Sequence, residues 1–134
     1  MHDNEQLNMP LAGDGTPPSD PARPALVVLV ASVTELIAAA VRCSYGACVG
    51  ISAYAVTAGA VSTCLSFFVL AALRYDDLMP GVALDLVPHA ATFLLVWWVF
   101  GWLVLTFVRP FANLSNGFFA CWAALVGSVW LVRS

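Results

Sequence analysis

The sequence predicts an all-α integral membrane protein: a four-helix antiparallel transmembrane bundle behind a disordered N-terminal tail. Three observations carry that class. Four apolar stretches, at residues 25–41, 49–73, 86–108 and 114–132, fill almost all of the 134-residue chain. Hydrophobic residues make up 61% of it and charged residues only 10%, whereas ordinary soluble domains are about 25% charged. Finally, the apolar runs are continuous, while the strands of a membrane barrel alternate with a period of two. A soluble bundle of this size would need polar helix faces, and these stretches have none.

Length sets the spans. Crossing about 30 Å of hydrocarbon takes roughly 20 apolar residues, and about 17 is the short limit. The last three stretches meet the first figure and the first stretch sits at the limit. The division is therefore a tail over 1–23 and a transmembrane domain over 24–134, with helices at about 24–43, 48–74, 86–109 and 114–132.

The tail holds Asp3, Glu5, Asp14 and Asp20, with Gly13, Gly15 and four prolines. Too little apolar surface is available there to offset the entropy of ordering it. Its acidic character does not suit a signal peptide, which starts basic, so the first helix is expected to be retained. His2 stands where myristoylation needs glycine, and Val-Arg-Ser at the end is no prenylation box.

Pro24 suits the first turn of helix 1, where its missing N–H is no loss. Residues 42–49 form a tight connection to helix 2. Arg74-Tyr-Asp-Asp-Leu-Met-Pro-Gly is a loop of turn formers broken most clearly at Pro80-Gly81. Helix 3 is expected to begin around Asp85 or Pro88 and to end at Arg109-Pro110, after which Asn113, Ser115 or Asn116 can cap helix 4. Connections this short make sequential helices antiparallel neighbours.

All the basic charge is arginine. Four spans put Arg23, Arg74 and Arg133 on the side of the termini and Arg42 and Arg109 on the other. Three against two favours cytoplasmic termini. Every acid except Glu35 also falls on the terminal side. Nucleic-acid binding is excluded, because it needs a basic surface.

Small residues mark packing seams. Ala55, Gly59, Ser62, Thr63 and Ser66 recur in helix 2 at steps of three and four, and Gly117, Cys121, Ala124 and Ser128 do so in helix 4. Lipid tails are as apolar as leucine, so helices associate through close backbone approach and interhelical hydrogen bonds. The seams serve packing within the bundle or a homo-oligomer interface. Helix 3 is aromatic instead, with Phe93, Trp97, Trp98, Phe100, Trp102 and Phe107. Trp97 and Trp98 fall at mid-depth, although tryptophan favours the interface. Packing and lipid contact account for them, and a pigment, sterol or quinone groove is the sharper alternative.

Glu35 is the one acid inside an expected span, and such a carboxyl is a functional candidate by default. It shares a stripe with Ser32, Ala39 and Arg42. Arg42 lies about 10 Å further along the axis, so the better partner is on another helix. Tyr54 and Thr57 of helix 2 fall at the level of Glu35, and Thr106, Trp102 and Cys121 lie within about a turn of it. A protonated or hydrogen-bonded Glu35 would lock helix 1 onto helix 2. The alternatives are proton or ion movement and contact with a partner subunit.

Asp85 and His89 are four apart and can face each other at the start of helix 3, with Ser66 near the same level as His89. No further ligands fall at their depth, so solvation or capping is the reading. Cys43 and Cys48 flank Ser-Tyr-Gly-Ala in the first connection. They would close a small disulfide if that side is oxidising; the spacing is no zinc signature, since Cys64 and Cys121 lie in separate helices. Asn113-Leu114-Ser115 matches a glycosylation sequon but lies too near the membrane, which leaves capping. No nucleophile–base pair, phosphate loop or pair of carboxylates appears. The sequence thus assigns no catalytic residue, no cofactor and no metal, and the expectation is a protein that is not an enzyme.

The short first connection, Tyr54-Ala-Val-Thr-Ala-Gly-Ala-Val-Ser, the polar middle loop and the Trp-rich third helix resemble MARVEL-type four-helix membrane proteins. The most distinctive stretch is Leu105-Thr-Phe-Val-Arg-Pro-Phe-Ala-Asn-Leu-Ser-Asn-Gly-Phe-Phe-Ala-Cys-Trp. The likeness covers roughly residues 24–133. It implies cytoplasmic termini, membrane apposition or vesicle trafficking, and self-association or cholesterol-rich membrane domains. It transfers no catalytic residue. The short first connection has no ectodomain for claudin-like adhesion.

The leading expectation is a MARVEL-like membrane organiser or trafficking scaffold, partnered by membrane lipid and by copies of itself. An accessory subunit of a larger membrane complex, docking a partner helix, lipid or pigment, is the alternative. A small transporter or channel built on Glu35 is the third.

Overall fold

The computed structural model describes residues 20–46, 48–75, 77, 81–107 and 116–134. The tail expected over 1–23 falls outside the described residues as far as position 19. So do Arg109-Pro110, Asn113 and Ser115, with the stops and caps assigned to them.

Among the described residues four helices follow in order: α1 (Ala22–Ser44), α2 (Ile51–Arg74), α3 (Gly81–Phe107) and α4 (Asn116–Arg133). No strand occurs among the described residues. α1 packs on α2 and α4, and α3 packs on the same two, so the helices close a ring with α1 diagonal to α3. Ser32 and Glu35 of α1 meet Ser62 and Gly59 of α2 respectively, so the two helices run antiparallel.

Each helix buries a narrow stripe stepping by three and four residues, the spacing that keeps one face toward its neighbours. In α1 the stripe is Ala25, Val28, Ser32, Glu35 and Ala39. In α2 it is Ala55, Gly59, Ser62, Ser66 and Val69. Ala91, Leu94, Trp98 and Leu105 form it in α3, and Cys121, Ala124, Ser128 and Leu131 in α4. Large apolar side chains stand outside: Val30, Ile37, Phe67, Phe100, Phe119 and Val126 are all exposed.

The boundaries correct several expectations. α1 begins two residues before Pro24, because Asp20 supplies the missing acceptors. Its carboxylate takes the Ala22 N–H and its carbonyl the Arg23 N–H, both at 3.0 Å. With 23 residues, α1 is thus not at the short limit. α2 starts at Ile51 and not at 48, since Gly50 turns the chain at φ 61°, a conformation glycine adopts without steric cost.

α3 starts at Gly81, five residues before the expected 86. Pro88 therefore lies inside the helix, and the hydroxyl of Thr92 donates to its carbonyl at 2.9 Å. Among the described residues three helices are long and apolar enough to cross a membrane, with mean hydropathies of 2.2, 2.0 and 1.6 for α1, α2 and Ala83–Leu105 of α3. The apolar part of α4, Gly117–Arg133, is shorter.

Candidate functional site

The polar side chains gather inside the bundle. Ser32, Glu35, Ser62, Ser66 and Ser128 are buried, along with Trp98. Ser66 and Ser128 satisfy themselves locally, donating to the carbonyls of Ser62 (2.6 Å) and Ala124 (2.7 Å) one turn back.

The other groups join three helices. Trp98 Nε1 of α3 donates to Ser62 Oγ of α2 at 2.7 Å. Ser62 Oγ lies 2.6 Å from Ser32 Oγ of α1, and Ser32 Oγ donates to the Val28 carbonyl at 2.7 Å. A hydroxyl has one hydrogen. Ser32 commits its own to Val28, so Ser62 is the donor to Ser32. The chain of bonds therefore runs one way, from the indole through both hydroxyls to the backbone of α1. It ties α3 to α1, two helices that do not pack on each other. Trp97 sends a second, longer bond from its indole to the Ala58 carbonyl, at 3.4 Å. The two mid-depth tryptophans thus direct their N–H groups at α2.

Glu35 sits one step along α1 from Ser32. It is 0% exposed, and neither carboxylate oxygen has a hydrogen-bond partner among the described residues. It presses on bare backbone: a Cβ built at Gly59 would overlap Glu35 Oε2 and come within 2.9 Å of Leu36 Cα. Half-buried Tyr54 of α2 and buried Cys121 of α4 make no hydrogen bond to it.

Other expected site residues fall elsewhere. Thr57 is exposed and donates to its own helix at Ala53 (2.9 Å), because position 57 points away from the 55/59/62 stripe. Arg42 is exposed at the end of α1. Thr63 is half-buried beside the seam, with its hydroxyl lacking a partner among the described residues. Gly117 is buried with Cys121, Ala124 and Ser128. The side chain of Thr106 is outside the described residues. Trp102 packs edge-on to Trp122, with ring centroids 5.0 Å apart. Cys43 and Cys48 form a disulfide across the α1–α2 connection. His89 turns its ring to the Asp85 backbone carbonyl (3.2 Å), not to that residue's carboxylate, and Ser66 is engaged within its own helix.

Two features escape the sequence reading. Gly127 lets α4 approach α1, since a Cβ there would come within 2.9 Å of Val28 Cγ2. An open apolar groove of about 780 Å³ runs between α2 and α3, lined by Cys64, Leu65, Phe68, Leu86, His89 and Phe93 among others. No group of three or more His, Cys, Asp or Glu able to hold a metal occurs among the described residues. No protein-family model, curated protein or solved structure matches the chain.

Proposed function

We propose that this chain is a multi-pass membrane protein that acts as a MARVEL-like organiser or trafficking scaffold and performs no catalysis. One observation carries the reading: several polar side chains are buried at the centre while many large apolar side chains cover the outside. Ser32, Glu35, Ser62 and Ser128 are buried while Val30, Ile37, Phe67, Phe100 and Val126 are exposed. Such a surface is stable against lipid and costly in water. Within that interior the Trp98–Ser62–Ser32 chain ties three helices together, since interhelical hydrogen bonds and close backbone approach drive association in lipid.

The disulfide supports an orientation. Disulfides persist in oxidising compartments, so the α1–α2 connection faces the exoplasmic or lumenal side and both termini face the cytoplasm. The arginine distribution leans the same way. An accessory subunit remains the second reading, favoured by the α2/α3 groove.

The test is purification of the tagged full chain in mild detergent, with mass spectrometry of all that stays bound. Self-association and lipid alone support the organiser. A set of partner subunits in constant ratio overturns it in favour of the accessory subunit.

A further inference from the structure

The Glu35 carboxyl has no role in the bonds that join the helices, yet it lies in their midst. The hydroxyls and the indole of the bonded chain are already committed, and the unspent Thr63 hydroxyl and Trp102 N–H make no bond to either oxygen. Ser32 donates to Val28, Ser62 donates to Ser32, and the Trp98 N–H is spent on Ser62. The titratable groups toward it are Tyr54 from α2, Cys121 from α4 and Arg42 further along its own face of α1; α3 shares no packed interface with α1. None of these gives either oxygen a hydrogen bond.

An ionised carboxylate accepts only and wants several donors, whereas the acid form carries its own donor. Leaving an ion buried without partners is far costlier than leaving a neutral group so. A metal cation fits no better. Hard cations take six or more oxygens, and Glu35 belongs to no group of three or more His, Cys, Asp or Glu among the described residues. Gly59 also keeps the carboxyl inside the seam, with Oε2 in the space any larger residue would fill.

We infer that Glu35 is a proton-binding site set into the α1/α2 seam: the carboxyl holds a proton while the seam is closed and passes it to water only when α1 and α2 part. Ionisation and opening are then one event, which makes the seam a proton-dependent contact. This needs only the packed bundle and stands apart from the organiser reading.

The chain has two glutamates, Glu5 and Glu35, so Glu5→Gln leaves Glu35 as the sole glutamate. The experiment is infrared spectroscopy of that full-length variant, labelled with ¹³C at the glutamate side-chain carboxyl, in phosphatidylcholine nanodiscs. The expected result at pH 7 is one labelled band at the carboxylic-acid position, shifted in D₂O and lost in Glu5→Gln/Glu35→Gln. A labelled carboxylate band at pH 7, from protein of native helical content, overturns the site.

Amide hydrogen exchange tests the coupling. As pH rises and the carboxylate band appears, α1 and α2 amides should exchange faster in Glu5→Gln than in Glu5→Gln/Glu35→Gln at the same pH. Equal rates in both once Glu35 has ionised overturn the link to the seam.

Discussion

Trp98 Nε1 donates to Ser62 Oγ at 2.7 Å, from the buried stripe of α3 into that of α2. Interhelical hydrogen bonds of this kind are worth about 0.6 kcal/mol on average and up to about 1.7 in lipid. Ser62 is also the donor to Ser32, so its hydroxyl joins three helices. A double-mutant cycle of Trp98→Phe and Ser62→Ala should give a coupling of about 1 kcal/mol, read from unfolding in mixed detergent micelles. Zero coupling contradicts the bond. Trp98→Ala should cost more, about 3–5 kcal/mol, because the cavity adds to the lost bond.

The glycines should rank by what a methyl would meet. Gly59→Ala meets the Glu35 carboxyl and the Leu36 backbone, so about 1–3 kcal/mol is lost to overpacking. Gly127→Ala meets Val28 Cγ2 at 2.9 Å but no backbone atom nearer than 3.4 Å, so it should cost less. Gly46→Ala meets nothing within 4 Å and should be neutral. Unfolding midpoints of the three variants check the order.

The disulfide predicts both protection and sidedness. Cys43 and Cys48 should resist maleimide until a reductant is added. Replacing both by serine should remove about 2 kcal/mol, the scale for a short closed loop. Epitope tags at either terminus should be reached by antibody only after the plasma membrane is permeabilised. Reactivity at the termini of intact cells contradicts the orientation.

The remaining cysteines should separate by depth in the bundle. Cys64 is exposed beside the α2/α3 groove and Cys121 is buried. A lipid-partitioning diazirine, whose carbene needs no thiolate, should label Cys64 in the native protein in bilayers and Cys121 only on unfolding, as peptide mass spectrometry will show.

Helix number and the existence of the seams are legible in the sequence, because a continuous apolar run and a three-four spacing of small residues are local patterns. Gly59, Ser62 and Ser66 stand out by that spacing, and Glu35 by being an acid in an apolar run. Direction around a helix is less legible. Thr63 adjoins Ser62 and Thr57 lies two positions from both Ala55 and Gly59, yet neither belongs to the buried stripe. The partner of Trp98 depends on how α3 is rotated against α2, which no single helix encodes. The start of α3 is hidden by Pro88, whose usual place is a first turn. Gly127 adjoins the Cys121/Ala124/Ser128 stripe, yet its closeness to Val28 is a property of two helices together.

The measurement that bears most directly on the central claim is site-directed spin labelling in lipid bilayers. Single labels at Val30, Phe100 and Val126 should collide with dissolved oxygen far more often than with a water-soluble nickel chelate, because these exposed side chains face hydrocarbon. Frequent collision with the chelate at these positions would place the apolar surface in water or under a polar partner, and would contradict the account.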